Sequence, residues 1–303
     1  MEMKPQDKII AVVVTYNRKD LLKENIAALL NQTRRDCLDI LIIDNDSTDG
    51  THEDLLPLIE KEEILYNNTG SNLGGAGGFN YGIRKAVEAG YKYVWIMDDD
   101  TIPSPTALEA FLKKDAELNG NYGFLSSKVL WKDQSICLMN VQKETKWKRI
   151  ADFEKDQTIQ YASFVSLFLR AETVKEFGLP YKEFFIWADD WEYTRRISKA
   201  KKSFFVPESV VTHFCGSNVG ADIVDAPADR IDRFNYMYRN DVVLYRLDGL
   251  EGKIYLTIRN AMHRAKILLK SDHKSKKLQI IADGTKKGKH FFPEREFPEI
   301  KEV

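Results

Sequence analysis

Apolar runs and amphipathic segments alternate along the first hundred residues. Residues 9–14 form a β-branched run of the kind found in buried parallel strands, and residues 38–43 form a second run. Residues 21–30, between them, show the apolar spacing of a helix. The pattern repeats with a short strand at 64–66, a helix ending near residue 89 and a strand at 91–97. This alternation predicts an α/β fold with a mostly parallel sheet and helices on both faces.

The rest of the chain is less regular, and it ends in three amphipathic helices. Strands are predicted at 124–130, 159–169, 204–206 and 210–213, with a weaker hairpin between the first two and a helix at 189–200. After a loop at 216–229 the pattern predicts helices at 230–247, 252–271 and 274–288. We therefore expect a catalytic domain over residues 1–228 and a mainly helical extension over residues 229–303.

Polar residues follow three of the predicted strands. Asp44, Asn72 and Asp98 lie at or beyond the carboxyl ends of apolar runs. Ligands of open α/β sheets bind beyond the carboxyl ends of the strands. One site can therefore gather all three residues.

Composition excludes several classes of protein. The chain has 303 residues, of which 43% are hydrophobic and 30% are charged, so it can form a core without disulfides or structural metals. Three cysteines with no Cys-x-x-Cys pair favour reduced thiols in a cytoplasmic protein. No apolar run approaches the roughly 18 residues of a membrane span, and we expect no signal peptide.

The net charge of −1 conceals a basic segment. Residues 253–289 hold 11 Lys and Arg against two acids. Such a segment suits an anionic membrane surface, although a solvated helical face has the same composition. It lacks interleaved aromatic residues, so we expect no nucleic-acid partner.

Three adjacent carboxylates, Asp98, Asp99 and Asp100, follow a predicted strand. Alternate side chains of an extended segment share a face, so Asp98 and Asp100 can share a divalent cation while Asp99 turns away. Mg²⁺ and Mn²⁺ prefer carboxylate oxygens together with a substrate phosphate. The alternative is an acidic helix N-terminus favoured by the helix dipole.

Two further segments carry chemistry. The glycine-rich residues 72–79 enter a helix and suit either phosphate or sugar oxygens or a tight helix–sheet contact. Residues 184–193 place acids among aromatic side chains, which favours a general base beside a sugar-stacking surface, or else a capped helix with an aromatic core face. His213 ends a β-branched run and is a third ligand beside the carboxylates or a core histidine.

Together these segments resemble family 2 glycosyltransferases of the GT-A fold, a Rossmann-like nucleotide-sugar transferase fold. The matching motifs occur in the family's order over about residues 8–215, at positions 13–18, 43–51, 72–75, 97–100 and 189–190. Within the family the chain is most similar to bacterial galactofuranosyltransferases and rhamnosyltransferase-like relatives. The segments that carry this similarity are the glycine run, the aspartate triplet, the Trp-Ala-Asp-Asp-Trp-Glu-Tyr segment, His213 and the Tyr-Met-Tyr-Arg-Asn segment at residues 236–240. One departure is Ala188, which separates Trp187 from the aspartate pair.

The resemblance implies an inverting, metal-dependent transfer from a nucleoside-diphosphate sugar. Asp190 would be the catalytic base, although Asp189 is an alternative. Asp98, Asp100 and His213 would hold Mn²⁺ or Mg²⁺. The nucleotide would contact Thr15, Tyr16, Arg18, Asp44, Asn72, Gly75 and Asp98. The acceptor side would comprise Trp187, Asp189, Trp191 and Glu192.

The resemblance also implies partners. The donors are UDP-galactofuranose or, alternatively, dTDP-rhamnose, and the acceptor is a glycan or a polyprenyl-linked glycan in cell-surface polysaccharide synthesis. Lys266, Lys270, Lys274, Lys276 and Lys277 would attach the protein peripherally to the inner face of the plasma membrane, or the same helices would form a homo-oligomer. Competing hypotheses are a sugar-1-phosphate nucleotidyltransferase and a non-catalytic glycan-binding scaffold.

Overall fold

The computed structural model describes residues 8–299, which form one mixed sheet, a small hairpin and nine α-helices. The strands are β1 (Ile9–Thr15), β2 (Leu38–Asp44), β3 (Leu65–Asn68), β4 (Tyr93–Asp98), β5 (Thr101–Pro103), β6 (Leu125–Trp131), β7 (Lys143–Thr145), β8 (Lys148–Arg149), β9 (Gln157–Ile159), β10 (Leu167–Arg170) and β11 (Ser203–His213). The helices are α1 (Lys19–Leu30), α2 (Thr51–Glu60), α3 (Gly74–Glu88), α4 (Ala107–Glu117), α5 (Ala171–Phe177), α6 (Asp189–Ser198), α7 (Phe234–Arg246), α8 (Gly249–Lys270) and α9 (Lys274–Lys289).

The sheet has the order β3-β2-β1-β4-β10-β6-β11-β5, and β9 pairs with β11. The first four strands are parallel, as the alternating pattern predicts. β10 is antiparallel to both β4 and β6, so the second half of the sheet is mixed. Two apolar clusters cover the two faces, one including Val12 and Val14 of β1 and the other Ala11 and Val13. β1 is buried on both sides, which explains its uninterrupted apolar run.

Two predicted strands differ from the structure. The run at 159–169 is divided between β9 and β10, because residues 160–166 are irregular. The two strands predicted at 204–206 and 210–213 are one strand, β11, whose register with β6 shifts between Val206 and Val210. Pro207 lies in that interval, where its missing N–H cannot continue the ladder.

The C-terminal helices pack closely on the sheet domain. Tyr238 and Leu244 of α7 are fully buried, and α7 lies against α6, α8 and α9. The prediction that Lys277 faces a membrane is wrong, because its side chain is fully buried. Its ammonium donates to the Val224 carbonyl at 2.9 Å and pairs with Asp272 at 2.6 Å. No helix within residues 8–299 combines the length and the apolar character needed to cross a bilayer.

Candidate active site

Strand pairing brings two carboxylates and one imidazole together at the carboxyl edge of the sheet. Asp98 ends β4, and Asp100 lies in the turn that leads to β5. His213 ends β11 and is opposite Thr101 in the β5–β11 register. One ligand atom from each of Asp98, Asp100 and His213 lies within 4.8 Å of the other two. The register between two distant strands therefore places the imidazole beside the triplet.

The Asp100 carboxylate is buried between two positively charged or ionisable neighbours, Arg18 and His213. Its Oδ2 accepts a hydrogen bond from Arg18 Nη1 at 2.7 Å, and its Oδ1 lies 3.1 Å from His213 Nε2. Oδ1 is buried and accepts no well-formed hydrogen bond from the residues that the structure describes. A buried carboxylate oxygen without a well-formed hydrogen bond, beside a second carboxylate and an imidazole, fits a divalent cation. Mn²⁺ accepts this donor set of carboxylate oxygens from Asp98 and Asp100 and an imidazole nitrogen from His213.

The pKa values show how strongly these groups interact. Burial and the neighbouring Asp100 raise the pKa of Asp98 to about 7. Burial alone would raise the pKa of Asp100, but the adjacent His213 and Arg18 cations hold it below its usual range. Burial opposes protonation of His213, yet the Asp100 carboxylate raises its pKa to about 10. The repulsion between the two carboxylates is the condition that a shared divalent cation relieves.

Asp99 faces away from this set. Its Oδ2 accepts a hydrogen bond from Thr15 Oγ1 at 2.8 Å, and its Oδ1 lies 3.3 Å from Arg18 Nη1. Burial raises the pKa of Asp99 to about 6, although Arg18 acts in the opposite direction. Thr15 and Arg18, which the resemblance assigns to the nucleotide, thus support the triplet, and their contact with a nucleotide stays a prediction.

A residue that the sequence did not reveal orients the histidine. Asn140 Oδ1 lies 2.8 Å from His213 Nδ1 and is buried with it. This contact turns Nε2 toward Asp100, as an outer hydrogen-bond partner of a metal ligand does. Cys137 Sγ also donates to Asn140 Oδ1 at 3.0 Å, and Cys215 lies within the same 4.8 Å group as Cys137 and His213. The two thiols are free and lie behind the imidazole.

The residues assigned to the nucleotide by resemblance differ in exposure. The Asp44 carboxylate is fully buried and accepts hydrogen bonds from Ser47 N–H at 2.8 Å and Tyr66 O–H at 2.6 Å. Tyr16 is 43% exposed. Asn72 is exposed, and its Oδ1 accepts a hydrogen bond from Gly74 N–H at 2.8 Å. Asp44 therefore stabilises the turn after β2, while Tyr16 and Asn72 remain accessible to a ligand.

The glycine run owes most of its glycines to packing. A Cβ on Gly74, which has a φ of +71°, would lie 2.1 Å from the Phe185 carbonyl oxygen. A Cβ on Gly78 would lie 2.5 Å from a methyl of Val14 in β1. Gly75 has open space around it, so it alone of these three leaves room for a ligand. The tight helix–sheet contact weighed from the sequence is thus present, and ligand binding at Gly75 stays a prediction.

Asp190 follows a strained loop, residues 184–188. Three residues of this loop, Phe185, Trp187 and Ala188, have φ values of 63°, 66° and 64°. Residues other than glycine rarely adopt such positive φ values. Phe185, with a ψ of −58°, forms a γ-turn in which Ile186 N–H donates to the Phe184 carbonyl at 2.7 Å. Such strain is maintained only when the surrounding structure compensates for it.

Asn240 of α7 provides that compensation. Its fully buried Nδ2 donates to the carbonyls of Phe184, Ile186 and Trp187 at 3.0, 3.1 and 2.9 Å. The preceding residue, Arg239, donates to the carbonyls of Glu183 and Phe184 at 2.7 and 3.2 Å. The Tyr-Arg-Asn segment noted in the sequence therefore holds the strained loop that ends at the aspartate pair.

The two aspartates after the loop begin α6 and have perturbed pKa values. Burial raises the pKa of Asp189 to about 6. Burial, the neighbouring Asp189 and the charge of Asp98 raise the pKa of Asp190 well above its usual range. Asp190 is only partly buried, and its Oδ1 accepts a hydrogen bond from the Trp191 N–H at 2.7 Å. The contribution of Asp98 means that the two carboxylates are close enough to interact electrostatically.

The residues predicted for the acceptor side separate into two groups. Trp191 is partly buried, and the Lys143 ammonium lies 3.7 Å from the centre of its ring. Trp187 packs against Phe234, with ring centres 4.9 Å apart. Glu192 is not brought to this surface, because it is fully buried and pairs with Arg196 at 2.7 Å. Sequence reasoning also missed Lys143, which the β7–β8 hairpin places over the ring of Trp191.

The geometry so far is that of an α/β sheet whose carboxyl edge gathers two carboxylates and an imidazole, and a comparison of sequences identifies the family. The model of the family described as "Glycosyl transferase family 2" matches residues 10–177, more than half of the chain. The chain belongs to glycosyl transferase family 2. This confirms the resemblance inferred from the motifs.

Known family members are similar over most of the chain. The chain is 27% identical over 260 residues to "Galactofuranosyltransferase GlfT1" of Mycolicibacterium smegmatis, covering 80% of this chain and 84% of the relative. It is 28% identical over 257 residues to the protein of the same name from Mycobacterium tuberculosis, with the same coverage.

Solved structures confirm the GT-A fold. The mannosyltransferase PcManGT from Pyrobaculum calidifontis, in complex with GDP-Man and Mn²⁺, superposes with a TM-score of 0.59 at 17% identity, over 92% of this chain and 75% of that chain. GalNAc-T7 with UDP, GalNAc and Mn²⁺ gives a TM-score of 0.62 at 14% identity, over 92% and 54%. At these identities the likeness shows the fold, which was predicted from strand–helix alternation and motifs.

Proposed function

We propose that this family 2 glycosyltransferase transfers a sugar, galactofuranose, from a UDP donor to a hydroxyl group of a glycan or lipid-linked glycan, with inversion at the anomeric carbon. The observation that supports the proposal is that Asp190 follows a strained loop at the start of α6 and interacts electrostatically with Asp98, a member of the Asp98–Asp100–His213 cluster. The names of the relatives, galactofuranosyltransferases covered over 84% of their length, support the choice of sugar.

The two sets of carboxylates have different roles in this proposal. Asp98, Asp100 and His213 would hold Mn²⁺ or Mg²⁺, which when bound neutralises the charge that develops on the leaving diphosphate. Asp190 lies outside that set and keeps its carboxylate for a proton. Its raised pKa makes it a stronger base than an exposed aspartate.

The reaction is a single displacement. The acceptor oxygen forms a bond to the anomeric carbon as its proton passes to the Asp190 carboxylate. The bond between the anomeric carbon and the diphosphate oxygen breaks, and its electron pair leaves with the nucleoside diphosphate. Attack from the face opposite the leaving group inverts the anomeric configuration, and Trp191 beside Asp190 offers an aromatic face to the acceptor sugar.

The neighbouring Asp189 is less suited to this role. It is more deeply buried than Asp190, and its pKa rises only to about 6. We assign it to shaping the start of α6, where backbone N–H groups lower its pKa in part.

The experiment is a transfer assay with Asp190→Asn, a change that preserves shape and removes the base. We expect the rate to fall at least about a hundredfold, in the range attributed to general base catalysis, while UDP binding in the presence of Mn²⁺ is retained. Asp189→Asn is the matched control and should retain most of the rate. A near wild-type rate for Asp190→Asn would contradict the assignment.

A further inference from the structure

The outer face of α8 carries a row of large apolar side chains that remain exposed among residues 8–299. Six of them are between 45% and 79% exposed, namely Leu250, Ile254, Ile258, Met262, Leu268 and Leu269. Residues four apart lie on one face of a helix, so the first four form a line along its axis. We call this set the α8 stripe.

The α8 stripe does not contribute to the core. The opposite face of the helix is the buried one, with Gly252, Leu256, Asn260 and Ile267 against the rest of the protein. With 22 residues the helix is about 33 Å long, and the stripe follows most of it. A contiguous exposed apolar surface of this kind marks a contact with another phase or molecule.

An exposed indole lies near the N-terminal end of the stripe. Trp147, in the turn between β7 and β8, is 58% exposed and packs against Tyr255 of α8, with ring centres 4.6 Å apart. Its Nε1 donates to Glu251 at 3.3 Å, so the ring has one apolar side and one polar edge. Tryptophan with this division is typical of membrane–water interfaces.

The charges beside the stripe are positive. Lys253, Arg264, Lys266 and Lys270 of α8 are exposed. Glu251 is the only acidic residue in α8, and it is neutralised by Lys146 at 2.9 Å. An apolar stripe flanked by lysine and arginine is the pattern of a helix that lies in the plane of an anionic bilayer.

The same charges disfavour a second copy of the chain as the occupant. A symmetric dimer brings the same patch of both subunits together, so the four cations of one helix would face those of the other. Anionic headgroups, in contrast, complement them.

The stripe is close to the proposed acceptor side. Leu256, on the inner face of α8, belongs to an apolar cluster with Tyr161 and Tyr245, against which Trp191 packs. About one helix diameter, roughly 10 Å, therefore separates the outer face of α8 from the surroundings of Asp190.

We propose that α8 is an in-plane membrane anchor, which inserts the α8 stripe and Trp147 among the lipids of an anionic bilayer. The inference rests on the proposed function in one respect, since it places the base within reach of a lipid-linked acceptor. It assigns the contact to apolar side chains of α8, whereas the sequence pointed to the lysines of α8 and α9.

The test is flotation of the full chain with vesicles of phosphatidylcholine containing about 30% phosphatidylglycerol, and with vesicles of phosphatidylcholine alone. The variant Ile254→Ser/Ile258→Ser/Met262→Ser removes the middle of the stripe without touching the buried face. The control variant Leu56→Ser/Leu65→Ser removes apolar side chains that are 37% and 45% exposed on the catalytic domain. Calorimetric titration with UDP and Mn²⁺ on each preparation reports separately on the proposed active site.

We expect wild type and control to float with anionic vesicles and the triple variant to lose at least tenfold in partition, with UDP affinity unchanged in all three. Equal flotation of the triple variant, or no flotation of wild type, would overturn the anchor. A wild-type dimer that the triple variant converts to a monomer would instead assign the stripe to a second copy. Absence of UDP binding in all three would contradict the proposed function and leave the flotation result to judge the anchor.

Discussion

One amide, that of Asn240, holds three carbonyls of the strained loop before Asp190, and removing it tests how the proposed base is positioned. Asn240→Ala removes three hydrogen bonds from a fully buried side chain to the carbonyls of residues 184, 186 and 187. The amide has two N–H donors, which the three carbonyls share. At a net value of about 0.5–1.5 kcal/mol for each donor, their loss amounts to about 1–3 kcal/mol. The positive φ values of three non-glycine residues raise the free energy of this loop conformation by at least about 1 kcal/mol each. Without Asn240 only the hydrogen bonds of Arg239 to the carbonyls of Glu183 and Phe184 remain to offset the strain.

A loss of about 2 kcal/mol lowers the equilibrium constant between the competent loop and its relaxed conformations about thirtyfold. We therefore expect kcat to fall at least about tenfold, while the Kd for UDP with Mn²⁺ changes less than about threefold, because the residues predicted to contact the nucleotide lie on other elements. The assay combines transfer kinetics, calorimetry and thermal unfolding. Asn260→Ala is the matched control, since Asn260 is a buried amide of the neighbouring helix that donates only to Thr285, at 3.2 Å.

A rescue variant separates positioning from general damage. Ala188→Gly relieves the positive φ of 64° at the residue before the aspartate pair. Added to Asn240→Ala, it should restore part of kcat. Wild-type kcat in Asn240→Ala, equal losses in Asn260→Ala, or no rescue by Ala188→Gly would refute the reasoning.

Three further predictions concern packing, pH and ion pairing. Gly74→Ala should lower the free energy of unfolding by at least about 2 kcal/mol, measured by thermal or denaturant unfolding. The added Cβ would lie 2.1 Å from the Phe185 carbonyl oxygen, and the φ of +71° is unfavourable for alanine. Gly75→Ala, with open space around the Cβ, should stay within about 1 kcal/mol of wild type, and an equal loss in both would contradict the packing account. Burial lowers the pKa of Lys143 from 10.5 to about 7 in the folded state. Between these values the unfolded state binds the proton and the folded state does not, so the free energy of unfolding of the wild type should rise from pH 7 toward pH 10. Lys143→Met should therefore be more stable than wild type at pH 7, by an amount that shrinks as the pH rises, and a pH-independent difference would refute this. Glu192→Gln should cost about 3–5 kcal/mol by leaving Arg196 buried without a counter-ion, and a stable Glu192→Gln with reduced transfer would return Glu192 to the acceptor side.

Local patterns predicted the parts of the site that a single strand end determines. The apolar run of β4 followed by three aspartates predicted a carboxylate edge, and the structure places Asp98 and Asp100 there with Asp99 turned away. The parallel half of the sheet and the C-terminal helices followed from periodicity in the same way. These features depend on residues close together in the chain.

The parts that were missed depend on distant contacts. Asn140 reaches His213 only because an irregular segment after β6 folds back onto the end of β11. The positive φ values before Asp189 are imposed by Asn240, some fifty residues later in the chain, and no local pattern predicts them. Glu192 could have been placed correctly, because residues i and i+2 of a helix lie about 200° apart, so Glu192 and Asp190 cannot both face the predicted acceptor side.

We propose that the carboxylate edge binds a nucleoside diphosphate through a divalent cation. Calorimetric titration of UDP and of dTDP, with and without Mn²⁺, tests it most directly when wild type is compared with Asp100→Asn. We expect that UDP binds only in the presence of Mn²⁺, that Asp100→Asn abolishes this binding, and that dTDP binds more weakly than UDP. Binding of UDP that is independent of Mn²⁺ and unchanged in Asp100→Asn, or no binding of either nucleotide, would contradict it.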